Sequence, residues 1–199
     1  MKSDREYRSM ELKALSIEEG ADPSYLVEGY ASTFDPYVLL TVDGVDYSER
    51  IEPTAFDEAD LSDVVFRVDH EGRVYARSSA GTVELWHDGH GLGQRTDLSK
   101  TQAARELFAD IEAGNYPKMS FAFTVAEDHF DRETHTRVID RIAKVFDVSP
   151  VSFPANPNTE LSVSTRSYFD GVIEAERAER LAREERERQI QRIKLLTEV

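Results

Sequence analysis

The chain contains no cysteine, so a covalent mechanism has to draw its nucleophile from serine, threonine, lysine or a carboxylate. A serine hydroxyl attacks at neutral pH only when a base, normally histidine, lies within hydrogen-bond reach and donors face the developing oxyanion. Five histidines are available: His70, His87, His90, His129 and His135. His70 closes the apolar run VVFRVDH and precedes Glu71-Gly72, so it sits at a strand end where a scaffold can hold it. His87 and His90 lie in WHDGHG, a Gly-rich turn. His129 and His135 fall in the charged segment EDHFDRETHTR, which reads as a hairpin loop between two strands. Ser120, in YPKMSFAF, stands at the mouth of a strand, a position from which a serine can point into a cleft while the strand anchors its backbone; a capping or turn serine fits the same composition equally. The pair His87-x-x-His90, with His129 or aspartates, is a weak signal for a metal hydrolase, because no glutamate-bearing helical motif accompanies it.

The elements that must position these groups are mainly strands. YLVEGYA (Tyr25 to Ala31), VVFRV (Val64 to Val68) and GTVEL (Gly81 to Leu85) are short and rich in β-branched or aromatic residues. Phe121, Phe123 and Val125 alternate with smaller or polar neighbours, the pattern of a half-buried strand. RVIDRIAKVFDV (Arg137 to Val148) predicts a longer strand, bulged or bent, that stops at Ser149-Pro150. One helix is well signalled: Ser99 and Gln102 form a capping box, Ala103, Ala104, Leu107, Phe108 and Ile111 supply the apolar stripe, and Gly114 stops it. PTAFDEA (Pro53 to Ala59) predicts a shorter helix.

Composition changes once, near Ser164-Thr165-Arg166, beyond which Glu, Arg and Ala dominate. A charged helix is expected from Asp170 to Leu196, with acid-before-base pairs at Glu176/Arg180, Glu179/Arg183 and Glu184/Arg188. This divides the chain into a domain over residues 1–165 and a tail over 166–199. The tail is either a solvated helix or a docking helix with Ile190 to Leu196 as its apolar end.

A net charge of −15 repels phosphate backbones and argues against nucleic-acid binding. No run approaches the roughly 20 apolar residues of a membrane span, and Met1 to Glu6 leads into no apolar signal segment, so a soluble cytoplasmic protein is expected. With 40% hydrophobic residues in 199, the chain can build a real core.

Several blocks, in order, resemble the prohead proteases of tailed phages, the HK97-type family related to the herpesvirus assemblins. NYPKMSFAF (Asn115 to Phe123) resembles the "MSFGF" nucleophile block, and FRVDHEG (Phe66 to Gly72) the histidine block. VEGYASTF (Val27 to Phe34), IEPTAF (Ile51 to Phe56) and VFDVSPVSFPANP (Val145 to Pro157) are similar to the "EGYAS.F", "I.PGAF" and "EVSPVTFPAYP" blocks. The resemblance covers roughly residues 10–163. Departures are Lys118 and Ala122 in the nucleophile block, and Arg67-Val68-Asp69 where the family often has Asn before its histidine.

The resemblance implies a serine endopeptidase with Ser120 as nucleophile and His70 as general base. Asp147, aligned with the start of "EVSP", is the favoured third member; His129 or His135 is the alternative, since assemblins place a second histidine there. Oxyanion donors remain open between backbone N–H groups near a glycine turn and the segment Arg73 to Arg77. The implied fold is mainly β with packed helices (α+β), with an assemblin-like β-barrel core plus the C-terminal charged helix. Implied substrates are the major capsid protein or its scaffolding segment, a scaffold protein and the enzyme itself, inside the prohead in the host bacterial cytoplasm; the tail over 166–199 suits docking to the scaffold or removal by self-cleavage. No cofactor is expected, and the dimerisation of assemblins makes a homodimer an expectation. The alternative function is a non-catalytic capsid assembly module on the same fold.

Overall fold

The computed structural model describes residues 5–11, 25–152 and 163–197. Residues 5–11 and 25–152 belong to one compact unit, and the chain divides from a second unit between Ser162 and Val163. The strands are β1 (Glu6–Glu11), β2 (Leu26–Thr33), β3 (Tyr37–Val42), β4 (Val45–Ile51), β5 (Val65–Val68), β6 (Glu71–Arg77), β7 (Val83–His87), β8 (Gly91–Asp97), β9 (Lys118–Asp131) and β10 (Thr136–Val151). Two α-helices, α1 (Gln102–Glu112) and α2 (Val163–Thr197), and a 3-10 turn at Ser78–Ala80 complete the described elements.

The larger sheet runs β1-β9-β10-β4-β3, and β5 also joins β10 and carries β6. Its long strand β10 pairs antiparallel with β9 along one edge. The other edge is shared: β4 lies parallel to Thr136–Ile139, and β5 lies parallel to Asp147 and Val148. Register shifts between Ile139 and Asp147 absorb the bending, as expected for a bulged strand. A second, antiparallel sheet has the order β2-β8-β7. Apolar residues of both sheets and of α1 share one core, including Val27, Ala31, Leu92, Leu107, Phe121, Phe123, Ile139 and Val148.

The mainly β architecture with two helices is as expected, but the β-barrel is not: the described strands form two open sheets. The larger sheet branches at β10 because β4 and β5 occupy successive halves of one edge, so that edge does not curl round to meet β1.

Other differences are local. β10 continues through Pro150 to Val151. The Pro150 carbonyl accepts from Asp69 N–H at 3.1 Å, and a residue's N and C=O face the same strand edge. The missing proline N–H therefore faces the β5 side, beyond Val148, the last β10 residue paired with β5, and no bond to β9 is lost. The cap of α1 is Thr101, whose hydroxyl accepts from Ala104 N–H at 3.1 Å, because Ser99 is held outside the helix by Asp97. Gly114 follows the helix with φ +81°, as its stop requires. Pro53 to Glu58 forms successive turns closed by Glu52–Ala55 and Thr54–Asp57 bonds, not a helix. In α2, Glu184 and Arg188 meet at 3.4 Å, and Leu181, Ile190 and Ile193 are exposed.

Candidate active site

Ser120 and Asp147 share one face of the larger sheet. Ser120 on β9 is the register partner of Ser149 on β10, and Ala122 is the partner of Asp147. Because alternate residues of a strand face the same side, Ser120, Ser149 and Asp147 project together. The intervening Met119, Phe121 and Phe123 turn to the other face and are fully buried, with the two phenylalanine rings stacked 4.5 Å apart. The FAF alternation thus anchors the strand by its aromatic residues and leaves the serine on the opposite side.

His70 arrives from a two-residue hairpin. Val68 pairs with Glu71, so Asp69 and His70 form the whole turn between β5 and β6. Both are left-handed, at φ +47° and +59°, as a tight turn matching strand twist demands. Asp69 suits such a position because its short polar side chain tolerates it; a histidine there is held against local preference. The surroundings supply the hold. Asp69 N–H donates to Pro150 O at 3.1 Å, and Asp69 Oδ1 accepts from Ser152 N–H at 2.9 Å.

The three side chains are linked in line. His70 Nε2 lies 2.6 Å from Ser120 Oγ, and His70 Nδ1 lies 2.6 Å from Asp147 Oδ1. Ser149 Oγ–H donates to the same carboxylate oxygen at 2.8 Å. Asp147 is 1% exposed, so its charge is presented to the imidazole and not to solvent. A carboxylate facing Nδ1 selects the tautomer with hydrogen on Nδ1, which leaves Nε2 free to accept the serine proton. Ser120 Oγ also lies 2.8 Å from the carbonyl oxygen of Arg8 on β1.

Of the other residues considered, none joins this cluster. His129 Nδ1 pairs with Asp140 at 2.7 Å on the surface, and His135 packs edge-on against Tyr47. His87 lies 3.8 Å from Asp57, while His90 packs against Tyr30. Among the described residues no group of three or more His, Asp or Glu side chains is gathered for a metal ion. Arg73 stands over Tyr75 and Arg77 pairs with Asp63. Phe153 to Pro157 of the last matched block lie outside the described residues.

A feature that sequence reasoning missed is β1. Its Arg8 Nε and Nη2 bind Glu49 at 2.5 and 2.8 Å, and its Glu6 is held by Arg137 at 2.8 and 3.0 Å. All four groups are buried. Burial opposes the Arg8 charge, but Glu49 foremost, then Tyr37 and Glu6, more than offset it and hold its pKa above the ordinary range. The available signal was only the alternation of Glu6 and Arg8, which by itself resembles a surface strand.

The model of the caudovirus prohead serine protease family matches residues 10–171. This chain belongs to that family. No curated protein matches it. Among solved structures it is similar to the bacteriophage T4 capsid assembly protease, gp21, at 14% identity and a TM-score of 0.45, over 74% of this chain and 96% of that one. As a family member the chain is a protease with a role in capsid maturation. No described helix is long and apolar enough to cross a membrane.

Proposed function

We propose that the protein is a serine endopeptidase in which Ser120 is the nucleophile, His70 the general base and Asp147 the orienting acid. The observation that carries this reading is the in-line placement of Ser120 Oγ 2.6 Å from His70 Nε2 and of His70 Nδ1 2.6 Å from buried Asp147. In the reaction, Nε2 takes the hydroxyl proton as Oγ attacks the scissile carbonyl, and Asp147 stabilises the imidazolium that forms. His70 then protonates the leaving amine, giving an acyl-enzyme, and afterwards draws a proton from the water that releases it. No metal or cofactor enters this scheme.

The substrates in this proposal are the major capsid protein or its scaffolding segment, a separate scaffold protein, and the chain itself, inside the prohead in the host cytoplasm. Residues 166–199 act as a docking tail for the scaffold, using the exposed Leu181, Ile190 and Ile193, and their deletion lowers encapsidation while sparing cleavage of a free substrate. Co-expression of Ser120→Ala with the capsid protein tests the enzymatic reading. Persistence of uncut capsid protein supports it, whereas unchanged processing assigns the fold a non-catalytic assembly role.

A further inference from the structure

Two groups from different parts of the chain converge on one oxygen of the candidate acid. Asp147 Oδ1 accepts from Ser149 Oγ–H at 2.8 Å and faces His70 Nδ1 at 2.6 Å. An ionised carboxylate only accepts, so the Ser149 hydroxyl is the donor in its bond. His70 comes from the β5–β6 hairpin, whereas Ser149 stands two residues beyond Asp147 on β10, where strand alternation turns both side chains to one face.

Neither member of this pair has water to fall back on: Ser149 is 0% exposed and Asp147 1%. The hydroxyl proton therefore goes to a protein acceptor, and protein donors must solvate the carboxylate. A hydrogen bond to an ionised acceptor is about twice as strong as a neutral one, which suits it to fixing the rotation of a short side chain.

Ser149 is also the register partner of Ser120, so two fully buried serines stand side by side on the active face. Their roles separate by where each is aimed. Ser120 Oγ lies 2.6 Å from His70 Nε2, while the one proton of Ser149 is directed to Asp147 and is not offered to the imidazole.

Resting on the protease reading, we propose that Ser149 is a positioning residue, whose hydroxyl holds the Asp147 carboxylate in the rotamer that faces His70 Nδ1. Without it, Oδ1 keeps only its contact with His70, and the carboxylate is free to turn away. The imidazole then loses the partner that fixes its tautomer and aims Nε2 at Ser120. Because Ser149 acts only through Asp147, its removal lowers kcat and leaves KM nearly unchanged.

A double-mutant cycle tests this, with wild type, Ser149→Ala, Asp147→Ala and the double variant, each shown by circular dichroism to be folded. Cleavage of a capsid-derived peptide gives kcat and KM, and a fluorophosphonate gives the reaction rate at Ser120. Ser149→Ala is expected to lower kcat and the labelling rate about 10- to 100-fold, the loss of one hydrogen bond to a charged group. In the Asp147→Ala background the same substitution should change either rate by less than about twofold. Should Ser149→Ala not fold, Ser149→Cys, which keeps a side chain of similar shape but donates weakly, takes its place in the cycle.

An equal loss in both backgrounds, an unchanged kcat, or a raised KM with kcat intact overturns the role of Ser149 and leaves the protease reading standing. A wild-type chain that neither cleaves nor is labelled at Ser120 removes the protease reading, and the role of Ser149 with it.

Discussion

Asp69 and Ser152 join the hairpin that carries His70 to the end of the strand that carries Asp147. The Asp69 carboxylate accepts from the Ser152 backbone N–H at 2.9 Å and from its hydroxyl at 3.1–3.2 Å. The Asp69 carboxylate thus adds to the β5–β10 pairing that holds imidazole and carboxylate together, although it touches neither.

Substitutions at Asp69 separate its two contributions. Asp69→Asn keeps an acceptor and tolerates the left-handed backbone, so kcat stays near wild type. Asp69→Gly relieves the backbone but cuts the tie to Ser152, and kcat falls by up to about 10²-fold through misplacement of His70 while KM changes little. Steady-state cleavage of a capsid-derived peptide reads both constants. A kcat for the glycine variant equal to that of the asparagine variant rules out the positioning role.

The buried charges around Glu49 are predicted to act as a unit. Glu49→Gln leaves Arg8 and Arg137 partly uncompensated inside the protein and costs roughly 3–5 kcal/mol of stability. Urea denaturation measures this directly. A loss below about 1 kcal/mol, the level of an exposed pair, contradicts the described burial.

Alkaline pH should expose the same cluster through Tyr37, whose hydroxyl donates to Glu49. Burial foremost, then the Glu49 charge, raises the Tyr37 pKa well above its ordinary value. The unfolded tyrosine ionises near pH ~10 while the folded one stays protonated, so its contribution is complete below that pH. It is lost as pH rises from there toward the folded pKa. Thermal melts from pH 8 to 11 should show a shallower alkaline decline for Tyr37→Phe than for wild type. Identical slopes contradict the assignment.

Legibility in the sequence followed how each segment pays for its burial. Strands β2, β5, β7 and β9 and the helix α1 bury apolar side chains at their own period, and the pattern is visible. β1 buries Glu6 and Arg8 in ion pairs with Arg137 and Glu49, so its inward face reads as an outward one, whereas β4 buries Tyr47 and Ile51 on the face that carries Glu49. The β3–β4 hairpin did carry a sign, Asp43-Gly44, whose residues take φ +54° and +79° in its turn. At the candidate site, His70 was marked by its strand end. Ser120 rested on family resemblance, because a serine beside an FAF strand has no signature until the strand's facing is known. Asp147 depended on a register spanning β9 and β10, which is a tertiary fact.

Asp147→Asn tests the third member. An asparagine in its place preserves shape but favours the wrong imidazole tautomer, so kcat should drop by roughly 10⁴-fold with the fold intact. Activity close to wild type instead dismisses Asp147 from the mechanism.

The most direct test of the central claim is the site of covalent modification by a fluorophosphonate, read by peptide mass spectrometry on the full chain. The account predicts a single adduct on the peptide containing Ser120, lost in Ser120→Ala and strongly reduced in His70→Ala. An adduct on a different residue, or undiminished labelling when His70 is removed, contradicts it.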